Sequence, residues 1–130
     1  MEQSNIIVRV AIPSDVIYAS TITDEMASSA QARGTGIAKR SPEYISQKIT
    51  EGKAVIAVTK EGKWVGFCYI EAWGHEKFVA NSGLIVAPEF RKKAKVYERF
   101  MRLKKAKLIR YWKKKKEGHF KSLFSIFFNF

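Results

Sequence analysis

Apolar and polar positions alternate with two different periods along the first ninety residues. Segment 6–12, Ile-Ile-Val-Arg-Val-Ala-Ile, is β-branched and apolar and predicts a strand. Pro13, Ser14 and Asp15 then open a helix over about 14–32, with Tyr18, Ile22, Met26 and Ala30 on one face. Gly34 and Gly36 stop it. After the loop 34–40, Ser41 is placed as N-cap and Pro42 at the first helical position of a second helix over 42–51. Tyr44, Ile45 and Ile49 are its expected buried face, and Gly52 ends it. Ala54–Thr59 is a nearly unbroken apolar run, as a strand covered on both faces would be. Lys60-Glu61-Gly62-Lys63 is a hairpin turn with glycine available for positive φ. Trp64–Trp73 returns as a strand, and a period of two puts Val65, Phe67, Tyr69, Glu71 and Trp73 on one face. A second turn, 74–77, leads to a strand over 78–86 that Pro88 ends. The expected order is strand, helix, helix, then three strands joined by hairpins.

Beyond residue 90 the chain changes character. Seven of eight glycines and all three prolines precede residue 91, whereas six of nine phenylalanines follow it. Residues 95–116 suit a helix with Val96, Tyr97, Phe100, Leu103, Leu108, Tyr111 and Trp112 turned inward. Lys113–Lys116 is a lysine run, and 119–130 is rich in phenylalanine.

Length and composition narrow the class. At 130 residues, 46% hydrophobic and 28% charged, the chain is one globular domain rather than a disordered segment. The single cysteine, Cys68, excludes an internal disulfide, and His75 and His119 form no zinc-spaced cluster, so no metal is expected. Met1–Ile7 lacks a basic, extended apolar leader, and no stretch approaches the roughly 18 apolar residues of a spanning helix, so a cytoplasmic setting is expected. The net charge of +12 divides unevenly: residues 1–90 carry −1 and residues 91–130 carry +13. The excess has three readings: polyanion binding, a basic helix lying on an anionic membrane, or bias without a partner.

The stretch Asn81-Ser82-Gly83-Leu84-Ile85-Val86-Ala87-Pro88-Glu89-Phe90-Arg91-Lys92-Lys93 resembles the fourth strand and phosphate loop of GNAT-type N-acetyltransferases. In that family an apolar strand and a Pro-x-x-Arg/Gln turn precede (Arg/Gln)-x-x-Gly-x-(Gly/Ala) and a helix. The likeness covers about residues 6–93 and includes the order of elements. Arg33–Tyr44 is similar to the amino-acid-acetylating, N-acetylglutamate-synthase-like kind. The resemblance implies an α/β acyl-CoA N-acyltransferase fold, a mixed but mainly antiparallel sheet flanked by helices. It implies acetyl-CoA as co-substrate and a small amine as acceptor, with an amino acid as one candidate. Consecutive N–H groups at a helix N-terminus would hold the pyrophosphate. The binding residues implied are Leu84, Ile85, Val86, Arg91, Lys92, Lys93, Ala94 and Lys95, with an oxyanion donor among the backbone N–H groups of 84–86.

The sequence departs from the pattern at Ala94, where glycine is expected. A Cβ there should hold the loop away from the phosphates and disfavour positive φ. Residues 1–93 are thus expected to be the N-terminal part of an acetyltransferase domain, and 94–130 a basic, atypical tail that truncates it, so that little turnover is expected of this chain. A shifted reading frame in an A/T-rich gene would produce such a Lys/Phe-rich tail. The rival class is a non-catalytic basic module that binds nucleic acid or an anionic membrane through 91–121, with nucleic acid the less favoured partner. Gln31-x-x-Gly34-x-Gly36-x-Ala38 also spells the loop pattern, but it follows a helix rather than a strand; it reads as a loop covering the acceptor site, with direct phosphate contact the less favoured reading.

Acetyl transfer to an amine needs a base, oxyanion donors and an acid for the departing thiolate. Glu71 is the candidate base: it interrupts an apolar strand, and desolvation would raise its pKa. The alternative is a solvated strand-end glutamate. Tyr69, on the same face, is either core or an acceptor contact. Glu89 and His75 read as turn residues, and Cys68 as a small buried hydrophobe.

Overall fold

The structure is a computed structural model that describes residues 6–33, 40–73 and 78–116. Loop 34–39, turn 74–77 with His75, and residues 117–130, on which several expectations above bear, lie outside the described residues. Strand β1 (Ile6–Val10) leads through a 3₁₀ turn (Pro13–Tyr18) into α1 (Ala19–Arg33). Helix α2 (Pro42–Thr50), then β2 (Ala54–Thr59), β3 (Trp64–Trp73) and β4 (Phe78–Val86) follow. A second 3₁₀ turn (Pro88–Lys93) runs into α3 (Ala94–Lys116).

Local chemistry explains most boundaries. Ser41 Oγ accepts the Tyr44 N–H at 3.1 Å, capping α2 behind Pro42. Gly52 (φ 76°) turns the chain out of α2, and Gly62 (φ 92°) closes the β2–β3 hairpin, with its carbonyl accepting the Tyr18 hydroxyl at 2.6 Å. The first helix begins later than its pattern suggested. Asp15 is drawn back to the Ile12 N–H and to Arg9, and 13–18 stays a tight 3₁₀ turn.

The strands lie in the order β1-β2-β3-β4, antiparallel throughout. One face carries the 3₁₀ turn, α1 and α2 over Ile56, Phe67 and Tyr69. The other carries α3 over Val55, Val65, Cys68 and Ile70. Residues 54–58 of β2 are buried throughout, as a strand between two helical layers requires. Helix α3 contacts all four strands and seals its face with Tyr97, Met101, Leu108 and Trp112.

Two expectations about facing fail. Val65 lies on the α3 face, not beside Phe67. Ala57 pairs with Gly66 and Val58 with Trp64, so Val65 is an extra residue that reverses the alternation. On α3, Phe100 (47% exposed) and Leu103 (60% exposed) point outward, while Met101 and Lys105 are buried in their place. The buried series 97, 101, 105, 108, 112 steps by four, four, three and four and defines the stripe that meets the sheet.

Gly66 marks the closest approach of α3 to the sheet. A Cβ there would lie 2.7 Å from Met101 Cε and 3.2 Å from the Ile85 carbonyl oxygen. Gly66→Val is therefore expected to cost about 1–3 kcal/mol by overpacking. Urea unfolding of the variant measures it, and an unchanged midpoint would show that the helix stands off the sheet.

Candidate functional site

Strand β4 carries a second irregularity. Cys68 pairs with Leu84 but Tyr69 pairs with Ser82, which leaves Gly83 as the extra residue. Such a bulge takes one residue out of the ladder and re-aims the backbone groups around it. Among the described residues no strand pairs with the outer edge of β4. A cleft of about 330 Å³ opens there. It is walled by Leu84, Ile85 and Val86 of β4, by Arg91 and Ala94, by Ser29 of α1 and by Glu98 of α3. Because α1 and α3 lie on opposite faces of the sheet, a cavity touching both along with β4 must sit at its edge.

The sequence-derived binding residues therefore divide. Leu84, Ile85, Val86, Arg91 and Ala94 come together around the cleft. Lys92, Lys93 and Lys95 are exposed and do not wall it. Arg91 folds back: its Nε donates to the Val86 carbonyl at 3.1 Å, and its guanidinium pairs with Glu25 and bonds Ser29 at 3.0 Å. The open phosphate loop expected after Val86 is instead a 3₁₀ turn, stabilised by the Phe90 N–H on the Ala87 carbonyl and the Ala94 N–H on the Arg91 carbonyl. Ala94 is right-handed helical (φ −55°), so the expected penalty against positive φ does not arise.

A polar cluster lies on the α2 face of the sheet. Glu71, opposite Ala80 of β4, accepts the Lys48 ammonium at 3.0 Å on one oxygen and the Tyr44 hydroxyl on the other. Tyr44 packs edge-on to Tyr69 at 6.0 Å, and the guanidinium of Arg40 lies 4.8 Å over the Tyr44 ring. Lys48 also approaches that ring, at 5.2 Å. Tyr44 and Lys48 lie one turn apart on one side of α2, and Arg40, just before the N-cap Ser41, reaches the Tyr44 ring from outside the helix.

The electrostatics correct the expectation for Glu71. Burial alone would raise its pKa, but the hydrogen bonds from Tyr44 and Lys48 and the charges of Lys48 and Arg40 outweigh it, and the carboxyl is held below its ordinary value. Glu71 is thus a standing carboxylate. Burial and the adjacent Glu71 push the Tyr44 phenol up, which keeps it a donor. Tyr69 is buried within the core, and its hydroxyl faces Arg40. Burial pushes the Cys68 thiol up to about 11, consistent with an inert core position.

Comparison with a solved structure adds the fold. An acetyltransferase of the GNAT family from Listeria monocytogenes superimposes with a TM-score of 0.58 at 16% identity, over 75% of this chain and 67% of that one. The chain has the GNAT fold. No protein-family profile matches the sequence, and no curated protein does either. The bulged strand is the one that carries residues 81–86 of the sequence stretch, and Leu84, Ile85, Val86 and Arg91 of that stretch, with Ala94 just after it, wall the cleft. Among the described residues no helix is long and apolar enough to cross a membrane, and no group of metal-ligating side chains comes together.

Arg40, Tyr44 and Lys48 were not among the candidates read from the sequence. The spacing of four is visible in the sequence, but it places Tyr44 on a buried face with Ile45 and Ile49 and gives no sign of what Lys48 meets. Lys48 is in fact buried, and its charge is answered from a different element by Glu71.

Proposed function

We propose that this chain binds acetyl-CoA in the cleft at the β4 edge and transfers its acetyl group to the amine of a small acceptor, in the cytoplasm. The observation that carries the reading is the bulge at Gly83 beside the 330 Å³ cleft of a GNAT fold. It leaves β4 backbone groups free of the ladder where a thioester would need donors. The fit is uneven along the cleft. The backbone of 84–86 suits the pantetheine arm. At the phosphate end, Arg91 is already paired with Glu25, and the Glu98 carboxylate stands in the wall. Binding there requires Arg91 to exchange Glu25 for phosphate.

The chemistry proposed for the residues follows from their charge states. Acetyl-CoA supplies the activated acyl carbon. The acceptor nitrogen loses its proton to Glu71, directly or through water, and attacks that carbon. Backbone N–H groups of 84–86 bond the oxygen as it gains charge. The carbon–sulfur bond then breaks, and the proton that the new amide nitrogen sheds passes, directly or through water, to the departing thiolate. Glu71 is ionised at neutral pH and ready to accept, although its low basicity limits it as a base. Tyr69 helps shape the acceptor side. An acceptor of the amino-acid kind suits the cations around Glu71.

The test is binding. Acetyl-CoA at a hundred times its Kd should stabilise the fold by about 2.7 kcal/mol and raise the melting temperature. Arg91→Glu should weaken a calorimetric titration far more than Lys60→Glu, since Arg91 walls the cleft and Lys60 does not. Equal effects would place the cofactor elsewhere.

A further inference from the structure

We infer that a second cleft, between the end of β1, the end of α2 and the second half of α3, binds an elongated apolar monocarboxylate of the size of a medium-chain fatty acid. Its acid group would meet Lys104 and its apolar body would run toward Trp112. The cleft holds about 500 Å³ and shares no residue with the one at the β4 edge. It includes Val10 of β1, the strand at the opposite margin of the sheet. Its volume falls within the roughly 300–1,000 Å³ of small-molecule sites, and its walls share their character, mostly apolar with a few polar groups. Ala11, Ile49, Leu108 and Trp112 are buried wall residues, and Ile12 in the same wall is 50% exposed. Trp112 is held in place: its Nε1 donates to the Gly52 carbonyl at 3.2 Å, and the Lys53 ammonium lies 4.9 Å over its ring. A wall fixed in this way needs little ordering when a ligand enters.

The charges in the wall decide the polar group of the ligand. Glu51 and Lys104 are its two charged side chains. Glu51 is answered by Lys53 at 3.2 Å and by Gln47 at 2.8 Å. The Thr50 hydroxyl is turned to the Ser46 and Gln47 carbonyls, at 3.1 Å each. The carbonyls of Gln47, Lys48 and Ile49, which would repel an anion at the end of α2, already accept the N–H groups of Glu51, Lys53 and Gly52. Lys104 is different. It is half-buried, and it forms no hydrogen bond or ion pair with any described residue. Its own helix offers it no acid, because the one carboxylate of α3 is Glu98, which pairs with Arg102. Lys105 and Lys107 are cations as well, so the local field favours an anion. An amine ligand would be repelled, and a neutral one would leave Lys104 unanswered in apolar surroundings. Lys104 and Trp112 stand eight residues apart on α3, about 12 Å along the helix axis. A medium-length chain covers that distance, and a short acid does not.

The experiment measures calorimetric binding of octanoate, octanamide and butyrate to the full chain. Octanoate should bind about 10-fold more tightly than octanamide, as expected for a hydrogen bond to a charged group at a half-buried site. It should bind about 100-fold more tightly than butyrate, through burial of four further methylenes. Lys104→Met should lower octanoate to the level of octanamide and leave octanamide unchanged. Ile12→Ser should weaken both eight-carbon ligands alike. Lys107→Met removes an exposed cation outside the cleft and should change neither. Lys104 has no partner to lose and Ile12 is half exposed, so the urea midpoints of these variants should match the parent. Equal binding of octanoate and butyrate would mean ion pairing on the helix surface and would overturn the inference. An acid preference that survives in Lys104→Met, or no binding of octanoate by the parent, overturns it as well. Self-association of the free chain that Ile12→Ser abolishes would assign the cleft to a second copy, with the same consequence.

Discussion

Glu71→Gln is expected to lower acetyl transfer by about 10²–10⁴-fold, the range for loss of a positioned proton acceptor. The same change has a structural cost. Lys48 is buried with a side chain only 9% exposed, and Glu71 Oε1 is its ion-pair partner at 3.0 Å. A glutamine keeps an oxygen for one of the two donors but removes the charge, and a cation left buried without a counter-charge costs roughly 1–3 kcal/mol. Turnover alone would not distinguish the two effects. Lys48→Met in the Glu71→Gln background removes the orphaned cation and fills the site with a chain of similar length. Stability should return toward the parent value, while turnover should stay low. Recovery of both together would show that Glu71 acts only as a strut for α2. Full turnover in Glu71→Gln itself would move the proton acceptor elsewhere.

The architecture was largely legible because each element carries its own signal. Ser41-Pro42, Gly52 and Gly62 punctuate the chain at positions where the structure needs a cap or a positive φ. The fully apolar β2 indicated that both faces of the sheet would be covered. What was not legible depends on contacts between elements. The extra residue at Val65 arises where Gly66 lets Met101 reach the sheet, and a period-two pattern has no means of showing it. The outward turn of Phe100 and Leu103 is of the same kind. Their helix had several apolar stripes, and the sheet selected the one through Tyr97, Met101 and Leu108. The site divides likewise. The strand 84–86 was readable from its motif, and Glu71 from being a charge in an apolar strand. The lowered pKa of Glu71 was not, because it comes from Tyr44 and Lys48, more than twenty residues away in sequence.

Asp15→Asn is expected to cost about 2–4 kcal/mol at neutral pH, and to do so in a pH-dependent way. Asp15 is 3% exposed, and its carboxylate collects three donors: Arg9 Nη1 at 2.6 Å, Arg9 Nη2 at 3.1 Å and the Ile12 N–H at 2.8 Å. These bonds tie the end of β1 to the 3₁₀ turn and so set the path of the chain into α1. Burial alone would raise the Asp15 pKa, but the bonds from Arg9 and Ile12 outweigh it and hold the carboxyl below its ordinary value of 3.8. A pKa that is lower in the folded than in the unfolded chain contributes stability above the unfolded value. That contribution is lost as pH falls through the folded value. Glu51 and Glu71 are lowered as well, so the parent protein should weaken in acid for several reasons at once. The difference between parent and Asp15→Asn isolates the one carboxyl. In urea titrations it should be full at pH 7, begin to shrink below about pH 4, and approach zero once Asp15 is protonated in both states. Parallel stability curves for the two proteins from pH 7 to pH 2 would mean that the Arg9–Asp15 pair contributes geometry without charge.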